Sequence, residues 1–141
     1  MLPKPILNRG GCNLSFAGLK TAILRVKEFI KTDKDKNDLA ASFQKTVLDI
    51  LYKKTKKAIE QHLYLYPKNR TLIVAGGVAA NKQIRITLER LCKKEKFKVY
   101  FPDLKLCTDN AAMIALAGLE RYKMKKFDKH NFEANPRWQL D

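Results

Sequence analysis

The sequence TLIVAGGVAANKQIRITLERL, residues 71–91, decides the fold. It opens with a short apolar run rich in β-branched side chains, which predicts a buried strand over residues 71–75. Gly76 and Gly77 end this run, and a helix is predicted over residues 81–92. Strand, glycine pair and helix in this order are typical of an α/β domain in which the backbone comes close to a ligand.

A second strand is predicted after this helix, at residues 97–101. The order strand, helix, strand makes the two strands parallel neighbours in one sheet. A buried parallel strand needs neighbours at its edges and cover on both faces. Two strands alone make a poor sheet. Residues 1–141 are therefore expected to form one partial lobe, the last part of a larger domain.

Helices are predicted on the amino-terminal side of this unit. The first thirteen residues form an extended segment, and Ser15 is the predicted N-cap of a helix that runs to Ile30. The charged stretch KTDKDKND, residues 31–38, is predicted to be a solvated linker. A long amphipathic helix is predicted from Asp38 to the region before Pro67.

On the carboxy-terminal side, LCTDN (residues 106–110) leads into a strongly helical segment, residues 111–127. The tail HNFEANPRWQLD, residues 130–141, is predicted to be irregular. The predicted fold class is thus α/β, a short parallel sheet flanked by helices.

Positive charge dominates the composition. The chain has 29 Lys and Arg against 14 Asp and Glu, a formal net charge of +15. Such a field favours polyanions through counterion release, and nucleic acid is the first candidate partner. Lys far outnumbers Arg, however, so biased codon usage is an alternative explanation.

The start, MLPKPILNRGG, has no apolar signal region, and no apolar run approaches the roughly 20 residues that span a bilayer. A cytoplasmic protein without membrane contact is therefore expected.

The cysteines and histidines do not indicate a zinc site. Cys12, Cys92 and Cys107 are too far apart for a CxxC pair, and their odd number argues against a disulfide framework. His62 and His130 have no partners at ligand spacing.

The glycine pair and Asn81 form the first candidate site. Gly76 and Gly77 allow a ligand to approach the backbone, and the start of the following helix offers N–H groups to an anion. The Asn81 amide can hydrogen-bond a nucleotide or cap the helix. From the residues alone both interpretations stay open.

Asp109 is the second candidate. It lies between a predicted strand end and a helix, where open α/β folds place ligand-binding residues, and a carboxylate there can coordinate a cation. The alternative is that Thr108 or Asp109 caps the helix. In CNLSFAGLKTA, Gly18 permits close packing against another element.

These segments, in this order, resemble the carboxy-terminal region of the tRNA adenosine threonylcarbamoyltransferases, the TsaD family once described as glycoprotein endopeptidases. The matching segments are LPKPIL, LSFAGLKTA, AGGVAANKQIR, CTDNAAMIALAG and the closing PRW. Ala17 departs from the family's SFSGLK, in which a serine stands at this position. The resemblance extends over essentially the whole chain.

The resemblance implies the second lobe of an actin-like, sugar-kinase-like ATPase fold. It also implies a reaction in which a threonylcarbamoyl group moves from its ATP-derived adenylate to the adenosine beside the tRNA anticodon. By resemblance, Asn81 binds the adenylate, Gly76 and Gly77 line the nucleotide pocket, and Asp109 binds a divalent metal, iron or zinc. The implied partners are tRNA and the accessory proteins of the threonylcarbamoyl pathway.

The resemblance also shows what the chain lacks. The family's other metal ligands are two histidines in an HxxxH motif of the first lobe, and His62 and His130 do not reproduce it. The chain matches only the last part of a complete member, so it is expected to be inactive unless the missing amino-terminal lobe is supplied. Two alternatives are a basic RNA-binding module without catalysis and a nucleotide-hydrolysing relative of the same fold.

Overall fold

The computed structural model describes residues 2–129, 131, 133 and 134. The chain divides into two compact units, Met1–Cys107 and Thr108–Asp141. Most of the predicted irregular tail, including PRW and His130, lies outside the described residues.

Two helices open the first unit. α1 spans Ala17–Lys27 and α2 spans Asp33–Leu65, with Pro67 just beyond its end as expected. α2 begins with a capping box, in which Thr32 Oγ1 accepts from the Asp35 N–H and Asp35 Oδ2 accepts from the Thr32 N–H at 2.9 Å. The hydrogen bond with the Thr32 side chain, followed by those with the backbone N–H groups, lowers the pKa of Asp35. The prediction of a linker over residues 31–38 was therefore wrong, because most of this charged stretch is the first turn and a half of α2.

The start of α1 also differs from the prediction. Phe16 occupies the N-cap position and no side chain caps the helix, so the assignment of Ser15 as cap was wrong. The role predicted for Gly18 is confirmed, since a Cβ there would lie 3.1 Å from Pro5 Cγ. This close approach seats the amino-terminal segment against α1.

The strand–helix–strand unit is confirmed. β1 (Thr71–Ile73) and β2 (Lys98–Tyr100) pair in parallel, with Leu72 opposite Val99. α3 (Lys82–Glu95) connects them, and the residue that follows it, Lys96, caps the helix in a left-handed backbone conformation.

The core of the first unit forms where α2 and α3 meet the sheet. Its buried side chains come from both helices and from the residue before β2: Ile59, Ile84, Leu88, Leu91, Cys92 and Phe97. Burial also raises the pKa of the Cys92 thiol. Outward-facing Ile73 and Tyr100 are 73% and 55% exposed, so only one face of the sheet is covered by the described residues.

The second unit contains α4 (Ala111–Lys123). Its large apolar side chains are exposed, Ile114 at 66% and Leu116 at 60%. Among the helices that the structure describes, none has the length and apolar character needed to cross a membrane.

A buried lysine holds the amino-terminal segment on α2. Lys54 is 3% exposed, and its Nζ donates to the carbonyl oxygens of Arg9 and Gly11, each at 3.1 Å.

Lys54→Met is expected to raise amide hydrogen exchange in residues 9–12 by about tenfold or more, because both charge-assisted bonds are lost. Exchange in α3 should not change. The control is Lys53→Met, an exposed neighbour, and equal exchange in the two variants would contradict the anchoring role.

Candidate functional site

A glycine turn (residues 76–80) follows β1. Gly76 has a φ of +89°, a left-handed conformation that favours glycine, and the 3₁₀ turn Gly77–Ala80 begins directly after it. The Ala79 N–H donates to the Gly76 carbonyl at 2.9 Å and closes the turn. The chain thus passes from β1 to α3 through a compact turn whose first residue cannot carry a side chain without strain.

Asn81 joins the glycine turn to α3. Its Oδ1 accepts from the N–H groups of Gln83 and Ile84 at 2.9 and 3.2 Å, so its role as helix cap is confirmed. These two N–H groups are therefore occupied by the cap. The Asn81 Nδ2 is directed the other way and donates to Gln44 Oε1 at 3.3 Å. The cap therefore uses the oxygen and leaves the amide nitrogen for other contacts.

A cleft of about 750 Å³ opens beside the glycine turn, within the size range of small-molecule sites. Its walls come from the segment before α1, from α2, from the glycine turn and from the start of α3. The lining residues are Leu14, Phe16, Ala40, Phe43, Gln44, Val47, Leu51, Gly77, Val78, Asn81 and Ile84. The walls are mainly apolar, and the side-chain amides of Gln44 and Asn81 provide the polar groups.

Sequence reasoning missed the contribution of α2 to this cleft. Gln44 belongs to no motif and lies 37 residues before its partner Asn81. The available signal was the long amphipathic helix itself, because Phe43 and Val47 lie on one of its faces. Nothing in that pattern identified Gln44 in particular.

Asp109 lies in the second unit, just before α4. The cap of α4 is Asn110, whose Oδ1 accepts from the Met113 N–H at 3.0 Å and whose Nδ2 donates to the Thr108 carbonyl at 2.9 Å. The alternative that Thr108 or Asp109 caps the helix was therefore wrong. Asp109 is exposed, and within the described residues its carboxylate has no hydrogen bond or ion pair.

The described residues do not by themselves fit a metal ion. They contain no group of three or more His, Cys, Asp or Glu side chains that could hold one. The His62 Nε2, near the end of α2, forms a hydrogen bond of 3.1 Å with the Asn69 carbonyl oxygen. Gly76, Gly77 and Asn81 come together in the first unit, whereas Asp109 belongs to the second.

Comparison with known proteins decides the family. The family model described as tRNA N6-adenosine threonylcarbamoyltransferase matches residues 1–116. The chain belongs to this family. The match includes the glycine turn, Asn81 and Asp109. The α/β class with its parallel strand pair is confirmed, and it forms part of the actin-like fold of these transferases.

Curated relatives in the transferase family match almost the entire chain. Three of them, each named tRNA N6-adenosine threonylcarbamoyltransferase, come from Pelagibacter ubique (strain HTCC1062), Ruegeria sp. (strain TM1040) and Rickettsia rickettsii (strain Sheila Smith). Their sequences are 57%, 49% and 46% identical to this chain, respectively. Each match covers 99% of this chain, but 40%, 40% and 42% of the respective relative. The chain thus spans about two fifths of the length of the transferases it matches.

Proposed function

We propose that this chain supplies the adenylate-binding part of a transferase that moves a threonylcarbamoyl group from its adenylate to the adenosine beside the tRNA anticodon. Membership of the family supports the reaction class. The observation that carries the proposal is the cleft beside the glycine turn, which combines apolar walls with the amides of Gln44 and Asn81. This composition is typical of small-molecule sites and suits a nucleoside, with an apolar surface for the base and a few polar groups that fix its orientation.

The residues of the cleft divide this work. Phe43 and Val47 offer apolar surface to a base, and the Asn81 Nδ2 offers a hydrogen-bond donor at the edge. Gly76 is the first residue of the glycine turn, and its backbone leaves room for a ligand, since nothing lies within 4 Å of the position where its Cβ would be. The ligand contacts that this arrangement supports come from Asn81 and from the glycine turn.

Asp109 has a separate role in the proposal. Its carboxylate is exposed and has no partner among the described residues, which leaves it available as one oxygen ligand of a divalent cation, iron or zinc. The other ligands would come from the rest of a complete transferase. tRNA and the accessory proteins of the pathway are the proposed partners.

The 141-residue chain alone is expected to bind ATP weakly and to transfer no threonylcarbamoyl group to tRNA, because one carboxylate does not make a metal site. The measurements are titration with a fluorescent ATP analogue and a tRNA modification assay, with the Pelagibacter relative as positive control. Robust modification by the chain alone would contradict the proposal of an incomplete site. ATP hydrolysis, measured in the same samples, tests the alternative of a nucleotide-hydrolysing relative.

RNA binding through the basic surface is a second candidate function, favoured by the net charge of +15. The structure reduces the number of lysines that serve it. Lys54 is buried, and the Lys56 Nζ lies 3.5 Å from Glu60 Oε1. Exposed Lys53 remains on this part of α2.

The affinity of the chain for RNA is expected to fall steeply with salt and to depend little on sequence. The slope of log affinity against log salt should be about −0.7 for each phosphate neutralised on single strands, and about −0.9 on duplexes, because counterions are released on binding. Filter binding to tRNA and to an unrelated RNA over a salt series measures both properties. A flat salt response would show that the lysine excess is not a binding surface.

A further inference from the structure

Arg85, on the first turn of α3, makes an unusual set of contacts. Its Nε donates to the Ala79 carbonyl at 2.6 Å, and its Nη2 donates to the Pro102 carbonyl at 2.7 Å. The same Nη2 lies 3.3 Å from the Cys107 Sγ. The guanidinium carbon also lies 4.9 Å from the centroid of the Phe101 ring, in cation–π geometry. One half-buried side chain therefore contacts two separate stretches of backbone.

The two stretches lie next to candidate site residues in the sequence. Ala79 belongs to the glycine turn, two residues before Asn81, and is 1% exposed. Pro102 and Cys107 bound the strand-end loop (residues 102–107), which follows β2 and precedes Asp109 in sequence. Cys107 is 3% exposed. Arg85 is thus the side chain that connects the glycine turn to the strand-end loop.

The chemistry of these contacts requires an arginine. The planar guanidinium presents donors in a fixed fork, so it can reach two carbonyls in different directions at once. A lysine would bring the same charge to the same place as a single point donor. Arg85 forms no ion pair within the described residues, and its Nε and Nη2 donate to backbone and thiol acceptors.

We propose that Arg85 is a positioning residue, which ties the glycine turn to the strand-end loop and so fixes the backbone that binds the nucleotide. The function of this tie rests on the proposed nucleotide site, whereas its existence as a local constraint does not. Arg85 acts through the position of Ala79 and Asn81 and does not line the cleft itself.

The local constraint is tested on the 141-residue chain with Arg85→Met, Arg85→Lys and the matched control Arg90→Met. Arg90 lies on the exposed face of the same helix. Arg85→Met is expected to raise amide exchange in residues 76–81 and 102–107, and alkylation of Cys107 followed by mass spectrometry, by about tenfold or more. The control should change neither. Arg85→Lys, which keeps the charge and is the more certain to fold, should still loosen one of the two segments.

The functional part is tested by titration with a fluorescent ATP analogue below the melting temperature of every variant. Arg85→Met is expected to weaken binding by about tenfold or more, and Arg85→Lys should not restore it fully. Combining Arg85→Met with Asn81→Asp should weaken binding by less than the product of the two single effects, because both act on one turn. A loss of stability alone would give no such coupling.

Each outcome has a clear meaning. Unchanged exchange and Cys107 alkylation in Arg85→Met, or full recovery by lysine, would overturn the proposed tie. Loosened segments with unchanged nucleotide affinity, or fully independent effects of the two substitutions, would overturn the positioning role. If the wild-type chain binds no nucleotide, the proposed function fails, and increased exchange in both segments would still support the tie.

Discussion

Asp109→Asn is expected to reduce threonylcarbamoyl transfer by more than about a hundredfold, since even residues that only support metal ligands contribute about 10–100-fold. The substitution replaces an anionic oxygen with a neutral amide. Because Asn110, and not Asp109, caps α4, the fold should be unaffected. The assay uses a chimera in which this chain replaces the matching 40% of the Pelagibacter relative. Transfer and bound metal are measured beside a thermal melt.

The control for this experiment is Asp103→Asn. Asp103 is also an exposed carboxylate, and it precedes the 3₁₀ turn Leu104–Leu106 without capping it through its side chain. This variant should transfer and melt like the unsubstituted chimera. If Asp109→Asn retains its metal and the full rate, Asp109 is not a ligand and the proposed metal role is wrong.

Asn81→Asp is expected to weaken nucleotide binding by about tenfold or more while leaving stability almost unchanged. A carboxylate caps α3 about as well as the amide does, because the Oδ1 alone accepts from Gln83 and Ile84. The substitution removes the Nδ2 donor and places a negative charge beside the cleft. Titration with the ATP analogue and a thermal melt separate the two roles.

Asn81→Ala provides the comparison for stability. It removes both the cap and the donor, so it should lower the free energy of unfolding by about 1 kcal/mol and also weaken binding. If Asn81→Asp binds the analogue as tightly as wild type, Asn81 is a helix cap only. The cleft would then lose its main polar contact with the proposed ligand.

The parts of the fold that sequence predicted correctly are those with strong local signals. β1 and β2 are short apolar runs bounded by glycine or proline, and a parallel pair follows from the intervening α3. Asn81 directly precedes an amphipathic segment, and helix capping was one of the two interpretations left open for it. In each case the neighbouring residues in the chain carry the information.

The errors arose where polar residues compete for one role. The charged residues 31–38 were interpreted as a solvated linker, although the spacing of Thr32 and Asp35 is that of a capping box. Likewise Thr108, Asp109 and Asn110 are all good caps, and the residue composition does not decide among them. Only the backbone at the start of each helix makes that choice.

The contacts that sequence could not predict are those between distant segments. Arg85 reaches Pro102 over 17 residues, and Gln44 reaches Asn81 over 37. No periodicity links such positions, because they depend on how α2, α3 and β2 pack together. The candidate site was therefore predicted as a set of motif residues, and its cleft and supporting contacts emerged from the structure.

The exposed apolar side chains of α4 have a consequence for the handling of the protein. Leu119 and Tyr122 are 49% and 67% exposed, and this apolar surface favours self-association of the protein. Electrostatic repulsion between molecules that each carry a net charge of +15 opposes it. At about 1 M salt the Debye length falls to roughly 3 Å and this repulsion is screened. A high-salt wash that strips bound nucleic acid therefore also screens the repulsion that keeps the protein molecules apart, and precipitation is expected to increase with salt concentration.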